Sequence, residues 1–289
     1  MNTEKLTKYL LFGSCLLGIG IVLLICLTLI HQSYPSINAF GLSFVTKQVW
    51  DPVFKEFGVF PFIAGTIVTS VIAVILSLPV SISLAIVLGE LIKKGLLYKI
   101  LSSVIEVLAG IPSVIYGFWG LFVLVPIIRK MEMMIHVPPY GVGILTAAII
   151  LAIMIIPYTA SIGREVVSLV PNDLKEAAIA LGATRFEMIK YVILPYAKSG
   201  LLSGVLLSFS RAMGETMAVT MVVGNANRLL TSIFSPSNTM SSVIANEFAE
   251  ATGDLYLSCL VEIGLLLFLM TLLFNMAGQW LIKKNQVVS

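Results

Sequence analysis

Six long apolar runs constrain this chain more than any other feature of its sequence. They cover about residues 9–30, 62–89, 100–128, 141–163, 200–224 and 258–282. An α-helix needs about 20 apolar residues to cross roughly 30 Å of hydrocarbon. Only 11% of the 289 residues are charged, whereas about 25% is usual in a soluble domain. We therefore predict a multi-pass membrane protein.

The fold class follows from the continuity of these runs. They do not alternate apolar with polar residues, and an open sheet edge cannot face lipid, so strands are excluded. We predict an all-α membrane protein with six transmembrane helices. The third run is longer than one span and contains Ile111-Pro112-Ser113. Because proline removes a helical hydrogen bond, a kink or break is expected there.

The distribution of positive charge predicts the orientation. Of the 18 lysines and arginines, twelve fall in the alternate loops that include both ends of the chain, and Arg211 lies inside a span. The five others fall on the opposite side: Lys47, Lys55, Arg129, Lys130 and Arg228. Since cytoplasmic loops are enriched in lysine and arginine, both termini are expected in the cytoplasm.

Two outer loops, at 31–61 and 225–257, are each about 30 residues long. Loops of this length either form short helices and a docking surface or simply connect spans, and the sequence leaves both open. Trp50 is expected to lie at the membrane interface, as amphipathic aromatic residues often do. Glu106 and Glu262, near the ends of their spans, are expected to reach toward water.

The cytoplasmic loop at 164–199 predicts two short helical elements. Asn172 or Asp173 is expected as the N-cap of the first, and Gly182 ends it. A second element follows and is expected to end near Pro195. An amphipathic pair of this kind is either an interfacial connector on lipid headgroups or a docking site for a cytoplasmic partner.

Part of this loop, "EAAIALGATRFEMIKYVILP", resembles the EAA motif of binding-protein-dependent ABC importer permeases. Only Val192 departs from it, standing where isoleucine is usual. In that family the loop carries a coupling helix that inserts into a cytoplasmic ABC ATPase subunit, where ATP and Mg are bound. The resemblance implies a coupling role for six residues: Glu176, Ala177, Ala178, Gly182, Leu194 and Pro195. We call residues 164–199 the EAA loop.

Three further stretches are similar to the PstC-type permeases of phosphate ABC importers. They are "GVFPFIAGTIVTSVIAVILSLPVSISLAIVLGE", "AGIPSVIYGFWGLFVLVP" and "SRAMGETMAV". The resemblance implies a multi-pass protein of a prokaryotic plasma (inner) membrane. Its partners would be ABC ATPase subunits, a second homologous permease and an extracytoplasmic phosphate-binding protein. It divides the chain into residues 1–57, a first helix and outer loop, and 58–289, the permease core.

Arg211 and Glu215 place two charges near the middle of the fifth run. Each costs roughly 2.5–3.5 kcal/mol at mid-membrane, and a buried ion pair rarely improves on apolar residues. Their four-residue spacing predicts one helix face and mutual pairing. Either they form a structural salt bridge, or they line a substrate pathway. In a pathway, arginine suits an oxyanion and glutamate suits the hydroxyl proton that phosphate retains near neutral pH.

The chain has no Gly-x-x-x-x-Gly-Lys-Ser/Thr sequence with which to cradle nucleotide phosphates. We therefore expect a transporter subunit that is not itself an enzyme and has no cofactor of its own. Two alternatives stay open at this stage. One is a permease for another oxyanion, molybdate or sulfate, and the other is a stand-alone ion-coupled carrier.

Overall fold

The computed structural model describes residues 3–284, with side chains from residue 7 onward, so the outermost residues of the two predicted divisions (1–2 and 285–289) lie outside it. Within that range the chain is α-helical, with two isolated β-bridges and no sheet. The helices are α1 (Thr3–Phe40), α2 (Ser43–Thr46), α3 (Phe60–Ile86), α4 (Leu96–Gly110), α5 (Ser113–Trp119), α6 (Val125–Met134), α7 (Ile144–Ser168), α8 (Asn172–Ala180), α9 (Arg185–Met188), α10 (Leu194–Gly214), α11 (Met217–Val222), α12 (Met240–Glu247) and α13 (Asp254–Lys284).

Three π-helical turns extend or join these helices, at Val87–Leu91, Gly120–Leu124 and Ile189–Ile193. The first prolongs α3, and the other two join α5 to α6 and α9 to α10. Six helices of the described range are then long and apolar enough to span a membrane: Thr7–Phe40, Phe60–Leu91, Ser113–Met134, Ile144–Ser168, Arg185–Gly214 and Asp254–Lys284. The prediction of six spans is confirmed.

The predicted break in the third run is also confirmed. Ile111 is extended, with φ −68° and ψ 126°, because the ring of Pro112 excludes the helical conformation from the residue before it. The run therefore splits into α4 and a spanning helix that starts at Ser113. Glu106 lies on α4, outside the span, and its side chain is exposed.

The fifth span differs from the prediction at both ends. It begins at Arg185 and runs through Pro195, so the predicted end near that proline is wrong. Proline is tolerated there because it lies in the first turn of α10, and a π-helical turn joins that helix to α9. At the other end, α10 stops at Gly214 and Glu215 is extended, with φ −68° and ψ 129°. The continuous helix predicted over 200–224 is therefore wrong.

The core surrounds α7, the most buried of the six spans, which packs against α3 and α10. Small residues let these helices approach one another: a Cβ added at Gly163 would lie 2.7 Å from the Cβ of Ala85 on α3. By contrast, no residue in the most apolar stretch of α1 is buried in this chain. The far end of α1 is held to α13 by a hydrogen bond of 3.0 Å from the Ser36 amide to Ser258 Oγ.

Both predicted outer loops contain a short helix, α2 in the first and α12 in the second. Trp50 is 6% exposed and packs in an aromatic cluster, so the prediction that it anchors the loop in the membrane interface is wrong. Glu262 is also buried, beside Ser36 between α13 and α1, and does not reach toward water as expected. In both cases residues distant in the chain cover the side chain.

Candidate functional site

Arg211 lies in the last turn of α10, next to the break in the fifth span. Its guanidinium carbon stands 4.5 Å from the centre of the Tyr158 ring, so the arginine stacks on an aromatic face supplied by α7. Within the described part of the chain no hydrogen bond or salt bridge engages this guanidinium, and the side chain is exposed. Stacking uses the face of the group and leaves its in-plane N–H donors free for an oxyanion.

Glu215 follows the end of α10 and, unlike Arg211, forms a hydrogen bond with its own chain. Its Oε1 accepts a hydrogen bond of 3.4 Å from the Ala218 amide, in the first turn of α11. No salt bridge joins it to Arg211 in the described residues, so the predicted pairing is wrong. The four-residue spacing would place both side chains on one face only if the helix continued, and it ends at Gly214.

Two tyrosines, Tyr158 and Tyr116, line the same region and were not predicted from the sequence. Tyr116 Oη donates a hydrogen bond of 2.8 Å to the carbonyl of Leu108. Tyr158 Oη donates a longer one, 3.5 Å, to the carbonyl of Ala109. The end of α4 therefore lies beside the arginine. Neither tyrosine has a spacing relation to Arg211 from which this contact could have been read.

A segment rich in serine, residues 235–242 with the sequence SPSNTMSS, packs against the helix break; we call it the serine segment. All eight of its residues are buried. Ser241 Oγ donates a hydrogen bond of 2.7 Å to the backbone carbonyl of Glu215. Asn238 Oδ1 accepts from the Thr239 amide and from Ser242 Oγ. The break in the fifth span is thus held open by a partner 26 residues away.

The EAA loop presents a separate exposed surface. Helix α8 begins at Asn172 with Pro171 in the N-cap position, so the prediction of Asn172 or Asp173 as the N-cap is wrong. Gly182 follows the end of α8 with φ +89°, a left-handed conformation that glycine adopts freely. Thr184 and Glu187 then form a capping box at the start of α9, which the Thr-x-x-Glu spacing signals and sequence reasoning missed. Several large apolar side chains stay exposed on this surface, among them Leu174, Ile179, Leu181 and Phe186.

The six coupling residues implied by the motif fall into two groups that differ in their exposure to solvent. Glu176, Ala177, Gly182 and Pro195 are exposed, whereas Ala178 and Leu194 are half-buried and pack against the apolar cluster beneath the loop. That cluster includes Val167 and Met188. The exposed residues are thus free to meet a partner, while the half-buried ones hold the loop to the spans.

A protein-family model described as "Binding-protein-dependent transport system inner membrane component" matches residues 78–286. The chain belongs to this family. It is 43% identical over 275 residues to the "Phosphate transport system permease protein PstC" of Mesorhizobium japonicum, an alignment covering 90% of this chain and 84% of that protein. It is 44% identical over 277 residues to the protein of the same name from Haemophilus influenzae, covering 91% and 87%.

Solved structures support the same fold for this permease. A chain of the MetNI methionine ABC transporter in an inward-facing conformation matches with a TM-score of 0.60 at 19% identity, covering 83% of this chain and 100% of that one. A chain of an amino acid ABC transporter solved with histidines matches with a TM-score of 0.52 at 22% identity. The permease is therefore a multi-pass inner-membrane protein with the type I ABC importer fold.

In this permease the predicted residues form two separate groups. Arg211 and Glu215 flank the break in the fifth span, where Tyr158 and the serine segment meet them. The coupling residues lie on the EAA loop, at the opposite end of the same span. Any coupling between the two groups must pass through the helices that connect them.

Proposed function

We propose that this chain is a transmembrane permease subunit of an ATP-driven importer of inorganic phosphate, with both termini in the cytoplasm. The observation that carries the proposal is the free guanidinium of Arg211 beside a broken span, in a permease whose relatives are named for phosphate transport. Broken helices in transporters form substrate sites near the bilayer midplane, where unwound backbone lines the pathway.

Arg211 binds the anion through its in-plane N–H donors, which match two phosphate oxygens at once. Tyr158 holds the guanidinium plane, since a cation above an aromatic face is attracted to it. The Glu215 carboxylate accepts a hydrogen bond from the hydroxyl group of a partly protonated phosphate, a donor that fully ionised sulfate lacks. Because transport requires release, a single arginine with an acidic neighbour keeps binding weak.

The EAA loop transmits the energy for this movement. Its exposed apolar residues enter a cleft on a cytoplasmic ABC ATPase, as an amphipathic helix enters a groove. ATP and Mg are bound and ATP is hydrolysed on that partner, and this chain holds neither. A second homologous permease covers the exposed side of Arg211, and a phosphate-binding protein delivers substrate at the loops that contain α2 and α12.

The test is ATP-dependent uptake of labelled phosphate by proteoliposomes that contain the full complex. The matched control is the same complex with an ATPase partner that cannot hydrolyse ATP. We expect uptake only with the active partner, with arsenate competing strongly and sulfate and molybdate weakly. Strong competition by sulfate or molybdate would identify another oxyanion permease, and uptake by the lone chain would identify an ion-coupled carrier.

A further inference from the structure

Two salt bridges converge on Glu90, in the π-helical turn that ends the second span. Lys175, on α8 of the EAA loop, places Nζ 2.6 Å from Glu90 Oε2, and Lys93 places Nζ 3.2 Å from the same oxygen. The Lys175 side chain is 6% exposed and that of Glu90 13%, whereas that of Lys93 is 48% exposed. A buried charge pair therefore joins the EAA loop to α3, with an exposed lysine as a lesser partner.

Because this pair is largely buried, its two partners are costly to separate. Removing two charges from water costs as much as their attraction returns, so such a pair adds little net stability. Separating the partners, however, leaves an unpaired charge with little access to water, which is strongly unfavourable. Glu90 and Lys175 are thus expected to move together when the EAA loop moves, because separation would leave the buried Lys175 ammonium without its partner.

The same π-helical turn also presses against the end of α7. A Cβ added at Gly89 would lie 2.7 Å from Val167 Cγ1 and 2.9 Å from the carbonyl of Arg164. These residues precede α8 in the chain, so the turn contacts the EAA loop where it leaves α7 and again at Lys175. The end of α3 is therefore fixed to the base of the loop by packing as well as by charge.

The other end of α3 touches the serine segment. The Met240 amide donates a hydrogen bond of 3.0 Å to Thr66 Oγ1 on α3. Gly65 lies so close to the carbonyl of Asn238 that a Cβ there would collide with it. The same segment holds the Glu215 carbonyl through Ser241, beside the break in the fifth span.

One continuous helical span, Phe60–Leu91, which contains Pro79 and ends in the π-helical turn, therefore contacts the EAA loop at one end and the serine segment at the other. From Thr66 to Glu90 it extends about 36 Å, at about 1.5 Å per residue. Helices packed this closely transmit displacement because their interiors are dense and have little free volume. The span connects the two groups of candidate residues that the fold otherwise keeps apart.

We propose that the second span is the transmission element of this permease, with the Glu90–Lys175 pair as its attachment to the EAA loop and the Thr66–Met240 hydrogen bond as its attachment to the serine segment. Movement of α8 against the ATPase displaces α3, which shifts the serine segment and with it the backbone at Glu215. Glu90 and Lys175 are positioning residues that contact no substrate. The inference rests on the proposed function.

The test measures phosphate transported per ATP hydrolysed in proteoliposomes that hold the full complex. We expect Lys175→Gln to lower this ratio about tenfold, within the range of coupling between linked sites, while the ATPase still co-purifies. The inverted pair, Glu90→Lys with Lys175→Glu, restores most of the ratio because the attraction is re-formed. Lys93→Gln is the matched control, and loss of this exposed partner changes the ratio by less than about twofold.

A second variant tests the far end of the span. Thr66→Val removes the acceptor for the Met240 amide without touching α8, and the ratio is expected to fall as it does for Lys175→Gln. An unchanged ratio in either variant, or failure of the inverted pair to restore it, would overturn the proposal. Loss of ATPase co-purification in Lys175→Gln would also overturn it, since the pair would then only shape the docking surface.

The wild-type complex separates this inference from the proposed function. If it transports phosphate and the variants keep the wild-type ratio, only the transmission role fails. If it transports a different oxyanion, the phosphate assignment fails, and the ratio measured with that anion decides the transmission role in the same way.

Discussion

Glu247 and Arg211 are charged residues in the same permease with opposite surroundings. The Glu247 carboxylate accepts three hydrogen bonds, from Trp50 Nε1 at 2.8 Å, Asn227 Nδ2 at 2.7 Å and Tyr256 Oη at 2.6 Å. The Arg211 guanidinium, within the described residues, has an aromatic ring on one face and no hydrogen bond. The Glu247 carboxylate is thus satisfied by hydrogen bonds within the chain, whereas the Arg211 guanidinium remains available to a ligand.

The contrast separates a structural charge from a functional one. Polar groups in a fold are nearly always paired, because a lost hydrogen bond costs more than its presence returns. Glu247 follows that rule and ties the two predicted outer loops to α12 and α13. That rule holds for buried groups, whereas Arg211 is exposed in this chain and its donors are open to a ligand. Substitutions at the two sites should therefore affect different properties.

The largest expected effect is on stability, at Glu247. Glu247→Ala leaves three donors without their acceptor and should lower the free energy of unfolding by about 3 kcal/mol. Tyr256→Phe removes only one of these bonds and should cost about 1 kcal/mol. Thermal denaturation of the purified complex measures both, and uptake per folded complex should stay near wild type. Equal losses of unfolding free energy in the two variants would contradict the role of Glu247 as the common acceptor of three hydrogen bonds.

Arg211→Gln should have the converse effect. Uptake should fall about 100-fold, or about 2.7 kcal/mol. The melting temperature should change little, since the fold loses the contact with Tyr158 but no hydrogen bond. Arg211→Lys should recover part of the rate, because an ammonium keeps the charge but loses the fork of donors. Initial rates of labelled phosphate uptake decide the matter. Normal uptake by Arg211→Gln would remove this residue from the pathway.

Tyr158→Leu should have a smaller effect at the same place. Loss of the ring that orients the guanidinium should raise the KM for phosphate about fivefold, as expected for a cation–π contact of about 1 kcal/mol. Tyr158→Phe is the control, because it keeps the ring and loses only the 3.5 Å hydrogen bond to Ala109. Equal effects of the two variants would show that the hydroxyl, and not the ring, matters.

The smallest expected effect is at Glu215. Glu215→Gln keeps an oxygen for the Ala218 amide, so the helix break should persist. Removal of this negative charge should lower the KM for phosphate about threefold, because it no longer repels the anion. It should also weaken discrimination against sulfate, because an amide can donate to a fully ionised anion. Sulfate competition measures this, and unchanged discrimination would contradict the hydrogen-bond-accepting role.

Features of the fold that depend on local chemistry were predictable from the sequence. Continuous apolar runs predicted six spans, and the ring of Pro112 predicted the break in the third. The break after Gly214 was missed because no proline marks it. That break is stabilised by Ser241, whose hydrogen bond to the Glu215 carbonyl joins segments that no local pattern relates.

Contacts between distant residues account for the other differences. Trp50 was expected at the membrane interface, yet its indole donates to Glu247, 197 residues away. No local pattern relates Lys175 to its partner Glu90, which is 85 residues earlier in the chain. Arg211 was predictable because a charge inside an apolar run is costly wherever it points. Its aromatic partner was not, since only the packing of α7 against α10 brings Tyr158 to it.

The hydrogen bond between Ser36 and Ser258 can form only late in synthesis of the chain. Its partners are 222 residues apart, so α1 enters the bilayer long before α13 exists. At about 5–20 residues per second, the ribosome needs about 10–45 s to supply the partner. During that interval α1 must persist as a lone helix in lipid. Its most apolar stretch, with a mean hydropathy of 2.8 and no buried residue, suits it to do so. The first helix of this permease can therefore remain alone in the bilayer until α13 has been made.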